Sequence, residues 1–490
     1  MVKDAENKGK GITVKKSEDF NEWYNQLVQK AELADMRYNV KGFVCYQPWS
    51  TITIKKMYKI FEDILERKGH LPLIMPSLIP EKNFEIEANH VEGFAPDVFW
   101  VTHYGNTKME EKLALRPTSE TALYQMYSYW VRSYRDLPFK RYQSCQVWRA
   151  EVTKATKPFF RGREFHWIEA HNVFKNLEDA EAQTVEDMET TYEALGDNFA
   201  IPTIFFERPQ WDKFPGADKT FAADALMETG KVLQLPSTHL IGTNFSKPFN
   251  VTFTDEDGKE KPGYITCYGP AISRIYGAMI ALLGDDKGLV LPFELAPLQI
   301  VITPIIFKGK EEIVLKKAAE IKKKLKKYSI KIDNRNYISN GEKYAEWELK
   351  GVPIRIEIGP KDIEKNQVVI VNRLTGKKEF IPMDSLKESV DELAINFTKE
   401  LKDLHNIKFE ENIRDAETFD QAKKIIDSGK IVRCGFCSLD KDAFPCAEKI
   451  EKETGSFVRG SRVKGETKKF NKCIVCGKPA TRTVYLAKSY

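Results

Sequence analysis

Residues 142–152, YQSCQVWRAEV, and 162–174, GREFHWIEAHNVF, each alternate in side-chain character with a period of two. That period marks strands, and the polar, proline-containing loop 153–162 between them predicts an antiparallel pair. Strand residues two apart share a face, so Val147, Arg149 and Glu151 project together from the first segment. Arg163, Phe165, Trp167, Glu169 and His171 do the same on the second. Charges on the solvent face of a half-buried strand are the common meaning of such alternation. Here the face combines cations, carboxylates, an imidazole and two aromatics, with Arg161 in the loop beside it. A guanidinium grips phosphate through paired hydrogen bonds, a carboxylate accepts from an exocyclic amine, and an aromatic face stacks on a base. Such a surface suits a nucleotide.

A chain of 490 residues has room for about three domains of ordinary size. Its 42% hydrophobic and 30% charged residues describe a globular protein with ample core. The net charge of +5, from 76 Lys and Arg against 71 Asp and Glu, permits a polyanionic partner without demanding one. The first residues lack the apolar core of a signal peptide, and no run of eighteen apolar residues occurs, so a cytoplasmic location and no membrane partner are expected. Five of the eight cysteines, Cys434, Cys437, Cys446, Cys473 and Cys476, crowd the last stretch. In a reducing compartment that clustering points to metal rather than disulfides.

Outward from the strand pair, residues 1–18 are polar and expected to be flexible. Ile54, Met57, Tyr58, Phe61, Ile64 and Leu65 recur at three to four residue spacing, predicting an amphipathic helix ended by Gly69. The following LPLIMPSLIP, 71–80, reads as one apolar strand. In RPTSE, 116–120, Thr118 or Ser119 can cap the next helix. Further on, YITCYGPAISRIYGAMIALL runs as a strand into Gly269 and Pro270, with a helix from about Ala271. Arg274 then falls in the first turn, where its charge adds to the positive helix end and favours phosphate. From Gln299, strands alternate with helices, predicting a small α/β domain with a mixed sheet whose last helix spans 383–404. Its lysine-rich helix reads as a solvated face. In the tail, Cys473-x-x-Cys476 is a knuckle suited to tetrahedral thiolate binding, and Cys434, Cys437 and Cys446 offer one partner ligand too many. By spacing alone the choice is Cys434 and Cys437.

Arg149-Ala150-Glu151, followed by a loop and Arg161 to Phe165, resembles motif 2 of class II aminoacyl-tRNA synthetases. RPTSE looks like the Thr-x-Glu loop of the prolyl enzymes, and the match continues through Trp167, Glu169 and His171. HVEGFAPDVFWVT, 90–102, is similar to the segment preceding that loop. The segment around Arg274 resembles motif 3, with the departure that Cys267 stands where many relatives have Ser, which blurs the register around Ser273. The motifs are individually weak, but in this order, from about Phe20 to Tyr490, they resemble the prolyl-tRNA synthetases of archaeal and eukaryotic type.

The resemblance implies an α+β catalytic domain over 19–297, built on an antiparallel sheet with flanking helices. After it would come an α/β anticodon-binding domain over 298–404 and a small α/β zinc-binding domain over 405–490. It implies ATP-dependent ligation of L-proline to tRNA(Pro) through a prolyl-adenylate, with Mg2+ on the phosphates. Arg149 and Arg274 would be the catalytic cations. Thr118, Glu120, Arg149, Trp167, Glu169, His171 and His239 would line the proline site. ATP would meet Arg149, Glu151, Arg161, Gly162, Phe165, Gln234, Ser237 and Arg274. The resemblance shifts the metal ligands to Cys437, Cys446, Cys473 and Cys476, with Cys434 in reserve, holding structural Zn2+. The helix before residue 69 and the strand after it would be motif 1, with Pro76 favoured over Pro80, which implies a homodimer. Arg355, Lys361 and Arg373 are candidate tRNA contacts.

Overall fold

The computed structural model describes residues 11–88 and 98–490. Residues 90–97 of the segment quoted above lie outside them, as do residues 1–10 of the expected flexible terminus. Residues 11–18 depart from that expectation. Lys16 is buried, donates from Nζ to the carbonyls of Leu282 and Gly284 at 3.2 and 2.9 Å, and pairs with Glu228.

The strand pair forms as the period predicts. Phe139–Trp148 and Glu164–Phe174 run antiparallel, with Val147 opposite Phe165, Cys145 opposite Trp167 and Gln143 opposite Glu169. One detail differs. The first strand ends at Trp148, and the Glu151 amide turns back to the Arg149 carbonyl at 2.7 Å, so Glu151 sits in the loop. The pair belongs to an eleven-stranded sheet among the described residues. On one side it continues through Tyr264–Gly269, Lys231–Gly242, Lys219–Leu226 and Ile204–Glu207. The sheet does not stop there: Ser461 pairs with Glu207, bringing in Phe457–Arg462, Arg482–Ser489 and Ile431–Phe436. The C-terminal strands are thus stitched onto the sheet that holds the central strand pair.

The helix Pro48–Arg67 starts with proline at its first turn, buries Ile54, Met57, Phe61, Ile64 and Leu65 on one face, and is followed by Gly69 at φ +87°. It packs with the helix Ile272–Leu283 behind the sheet. LPLIMPSLIP, expected as one strand, is two. Leu71–Pro72 joins the large sheet parallel to Phe139–Trp148, and Leu78–Pro80 pairs with Thr107–Leu115 in a separate sheet. Prolines 72 and 76 interrupt the backbone donors that one continuous strand would need.

Residues 299–393 contain the mixed sheet. Ile330–Ile332, Ile300–Pro304 and Ile354–Ile358 are parallel, and Gln367–Asn372 and Lys378–Pro382 complete it antiparallel. The lysine-rich helix Glu311–Lys324 buries Val314, Ala318 and Ile321. The last helix, expected to end at 404, runs unbroken from Leu386 to Glu410, so the boundary placed after 404 falls inside a helix. Two of the three basic candidates for tRNA contact also need correcting. Arg355 is buried and paired with Glu348 and Glu357, and Arg373 is buried against Asp285 at 2.6 Å. Their charge is spent inside the protein, and only Lys361 is exposed.

Candidate active site

A cavity of about 580 Å3 opens over the strand pair. Its wall carries Thr118, Glu120, Arg149, Glu151, Arg161, Gly162, Phe165, Trp167, Glu169, Gln234, Ser237, His239 and Arg274. All but one of the residues expected at the two substrates reach it. The exception, His171, lies fully buried one layer behind, with Nε2 3.3 Å from Glu169 Oε2 and Nδ1 2.9 Å from the Tyr124 hydroxyl.

The strand places Glu169 at the centre of a hydrogen-bond net. Its Oε2 accepts from the Ser119 amide at 3.0 Å and the Thr118 hydroxyl at 3.1 Å, and its Oε1 accepts from Gln143 Nε2 at 2.9 Å. Burial alone would raise this carboxyl, but hydrogen bonds from His171 and Ser119 outweigh it and bring the pKa down to about 2. Ser119 occupies the cap position of the helix Glu120–Trp130 but makes no side-chain cap bond, because its hydroxyl accepts from Gln143 Nε2 at 2.6 Å. The cap is given up to tie the helix start to the strand. Glu120 opens that helix and is 3% exposed. Its Oε1 accepts from the Cys267 thiol at 3.3 Å, while Oε2 has no hydrogen-bond partner. Burial pushes this carboxyl up, with His171 partly opposing. Trp167 Nε1 in the same cavity is likewise buried without an acceptor. An orphaned acceptor and an orphaned donor in one cavity are what a zwitterionic ligand would satisfy.

The cations line the other part. Arg149 donates to the Pro117 carbonyl at 3.2 Å and lies over the rings of Phe165 and Trp167 at 5.3 and 5.7 Å. Arg161 is paired with Glu151 at 2.7 Å. Arg274, on the first turn of Ile272–Leu283, donates to the Phe160 carbonyl at 3.1 Å. Burial, and then the neighbouring Arg149 and Arg161, lower its pKa to about 10, still cationic at neutral pH. The register doubt is settled by Ser273, whose hydroxyl accepts from the His166 amide and meets Tyr46, leaving Arg274 to face the cavity. The loop carrying Arg161 is pinned by Phe159 and Phe160, both buried. Gly162 is needed there: a Cβ would stand 2.9 Å from the Glu164 carbonyl oxygen. Gln234 and His239 serve the frame as well as the wall. Gln234 Oε1 accepts from Arg208 at 3.1 Å, and His239 lies between Thr220 and Ser237 at 3.0 and 3.1 Å. Burial, then His171, lower the His239 imidazole to about 3, so it is neutral.

Family models match in sequence order. The tRNA synthetase class II core domain (G, H, P, S and T) covers residues 99–282, an anticodon binding domain 299–393, and the prolyl-tRNA synthetase C-terminal model 419–490. The proline–tRNA ligase of Thermofilum pendens is 47% identical over 98% of this chain and 99% of its own length. The chain belongs to the prolyl-tRNA synthetase family. The proline–tRNA ligase of Pyrococcus abyssi is 39% identical over 97% of this chain and 98% of its own. Two solved family members superpose closely. The Giardia lamblia enzyme in complex with prolyl-adenylate has a TM-score of 0.94 and 33% identity, covering 98% of this chain and all of its own. The Cryptosporidium parvum enzyme with halofuginone and AMPPNP has a TM-score of 0.93 and 34% identity, covering 98% of this chain and 99% of its own.

Within this prolyl-tRNA synthetase fold, sequence reasoning missed a third wall. Residues Asp212, Lys213, Phe214 and Pro215 line the cavity, with the Phe214 ring 4.8 Å from that of His239. The Phe-Pro-Gly run at 214–216 was the available signal of an exposed turn carrying an aromatic. Cys267 and Gly269 also belong to the cavity, and a Cβ at Gly269 would collide with the Trp167 ring at 2.5 Å. At the other end, the sulfurs of Cys437, Cys446, Cys473 and Cys476 lie within 4.8 Å of one another, with Cys437 and Cys446 3.9 Å apart. Cys434 is not among them; its side chain is fully buried in the apolar core of the C-terminal strands.

Proposed function

We infer that the chain ligates L-proline to tRNA(Pro) in two steps driven by ATP. The observation that carries this reading is the unpartnered Glu120 carboxylate oxygen in the same cavity as Arg149 and Arg274. It puts an ammonium acceptor and phosphate-binding cations around one reacting centre. In the first step a proline carboxylate oxygen attacks the α-phosphorus of ATP. The new P–O bond forms as the bond to diphosphate breaks, leaving prolyl-adenylate. In the second, a terminal ribose hydroxyl of the tRNA takes the acyl group and AMP departs.

Positioning and charge neutralisation carry such a transfer, and no protein nucleophile is required. Arg149, braced over Phe165 and Trp167, holds the proline carboxylate against the α-phosphate. Arg161 and Arg274 take the outer phosphates, Glu151 accepts from the adenine amine, and Phe165 stacks on the ring. Gly162, Gln234 and Ser237 complete the nucleotide wall. Glu120 and Thr118 hold the secondary ammonium, with Trp167, Glu169 and His239 closing the pocket and His171 buttressing Glu169. Mg2+ bound to the nucleotide would neutralise phosphate charge, and the Asp212 carboxylate on the cavity wall is an oxygen donor of the kind it accepts.

Cys437, Cys446, Cys473 and Cys476 fit structural Zn2+. Four thiolates with bonds of about 2.3 Å stand about 3.8 Å apart in a tetrahedron, close to the 3.9 Å between Cys437 and Cys446. Exposed Leu71, Ile74 and Leu78 around the split motif 1 segment support a homodimer. No helix among the described residues is long and apolar enough to cross a membrane, which accords with work in the cytoplasm.

The test is proline-dependent pyrophosphate exchange with ATP, run across all twenty amino acids on the intact protein and on Arg149→Ala. Exchange with proline, lost in the variant, is expected; exchange with no amino acid, with or without tRNA, would overturn the reading in favour of a noncatalytic tRNA-binding role.

A further inference from the structure

Glu120 and Cys267 line the cavity floor and His171 lies buried directly behind it, the three coming from the start of the helix Glu120–Trp130, the strand Tyr264–Gly269 and the strand Glu164–Phe174. Each offers one ligand atom, a carboxylate oxygen, a ring nitrogen or a sulfur, and the three lie within 4.8 Å of one another. Cys267 and His171 are register partners on neighbouring antiparallel strands, so thiol and imidazole project from one face of the sheet. Glu120 is delivered above them, with its Oε1 3.3 Å from Cys267 Sγ.

All three are shielded from solvent, at 3%, 0% and 7% exposure for Glu120, His171 and Cys267. Independently of the cluster, Glu120 Oε2 is buried with no partner. Carboxylate, imidazole and thiolate together are a borderline-soft set that favours Zn2+ over Mg2+, and three protein ligands with a fourth position open is a familiar zinc arrangement. Ligand atoms around such an ion stand about 3.3–3.8 Å apart, so the cluster needs only a small closure. The Tyr124 hydroxyl, 2.9 Å from His171 Nδ1, is the kind of outer contact that fixes a ligating imidazole, and Nε2 would exchange its 3.3 Å contact with Glu169 Oε2 for the metal.

We propose that this floor is a second metal site, at which Zn2+ binds in place of the proline ammonium, so that zinc and proline exclude one another. The inference rests on the reading that Glu120 holds that ammonium. Zinc then acts as an inhibitor competitive with proline, and Cys267 sets its affinity. The C-terminal cysteine cluster lies apart from this cavity and is indifferent to proline.

The experiment is equilibrium dialysis of the full-length protein against Zn2+ alone, with and without saturating L-proline, counting bound metal by atomic emission. The wild type is expected to lose about one equivalent when proline is added, and Cys267→Ser to lack that displaceable equivalent. In pyrophosphate exchange, Zn2+ raises KM for proline at unchanged kcat, and its inhibition constant weakens at least tenfold in Cys267→Ser relative to that variant's own uninhibited rate. Should the variant fail to fold, the wild type suffices. With Co2+ as probe, about one fifth of the thiolate-to-cobalt absorption, one sulfur in five, disappears on adding proline. Metal content and absorption indifferent to proline, or an equal displaceable equivalent in Cys267→Ser, would overturn the proposal. If proline supports exchange in zinc-free buffer yet displaces no metal, this inference alone falls; if proline supports no exchange there, the functional reading falls and takes it along.

Discussion

Glu151 Oε2 and Arg161 Nη2 stand 2.7 Å apart, one residue at each end of the loop that joins the two central strands. In the proposed roles Glu151 reads adenine and Arg161 a phosphate, so ATP binding must part them. With side chains 20% and 49% exposed, the pair is worth at most about 1 kcal/mol, and parting it is inexpensive. Removing the adenine acceptor should matter more. Glu151→Ala is expected to raise KM for ATP roughly tenfold, in line with one hydrogen bond to a charged group. KM for proline should stay within about twofold; an equal rise in both would show that the loop had collapsed.

Glu120→Gln keeps the shape of the helix start and removes the charge facing the ammonium. KM for proline should rise roughly 10- to 100-fold, with little effect on ATP. In the wild type, burial holds the Glu120 proton to higher pH than usual. Proline needs the carboxylate form, so its KM should fall as pH rises through that titration. A pH series of exchange rates checks this, and the variant should lose the trend.

Asp224 binds Arg208 at 2.7 Å and the C-terminal Arg459 at 2.7 Å, all three buried. Asp224→Ala leaves two guanidinium groups without their counter-charge, a change that costs about 3–5 kcal/mol when one partner of a buried pair is lost. Thermal unfolding should show a Tm several degrees lower. Because Arg208 also holds Gln234, ATP affinity should weaken with it. An unaltered Tm would mean that water reaches this cluster.

Asp187 accepts from Thr238 and Gln183, yet burial pushes its pKa up to about 7 from an ordinary 3.8. Between those values the folded protein keeps a proton that the unfolded chain has released. Stability is therefore lost as pH rises through this window, the direction expected for a raised folded pKa. Tm should decline from pH 5 to 8, and Asp187→Asn should flatten the slope. A variant with the wild-type slope would exclude Asp187 as its source.

Cys434 and Cys473 separate a buried thiol from a proposed zinc ligand. Cys473→Ser should lose the zinc equivalent that proline does not displace and lower the Tm. Cys434→Ser should keep that equivalent, at only the stability cost of a buried hydroxyl. Metal analysis of the two variants decides it.

The antiparallel strand pair, the helix Pro48–Arg67 and the cavity-facing Arg274 were legible because each is a local pattern: a period of two, a 3–4 spacing, a helix start. What escaped depends on partners far along the chain. Arg373 looked available for tRNA because nothing local reveals Asp285 beside it, whereas Glu357, two residues from Arg355 on the same strand face, was a local sign that Arg355 is paired. His171 belongs to the right strand face, but Glu169 and Glu120 fill the wall in front of it, so phase alone placed it one layer too far forward. The pairing of Ser461 with Glu207 joins residues with no sequence proximity, and composition carries no sign of it.

That pairing bears on inheritance. A recombination joint between the core and the C-terminal strands would sever the ladder at Ser461 and Glu207, the contact between Lys231 and Lys488, and the Asp224 cluster together. A foreign C-terminal segment would have to reproduce a strand edge and a buried charge at once. The two regions are consequently expected to travel through evolution as a single heritable piece, while the mixed sheet over 299–393 hydrogen-bonds to no strand of the large sheet among the described residues and is tied to it by the Arg373–Asp285 pair and shared core, so an exchange there would have to keep that charge pair but no strand edge.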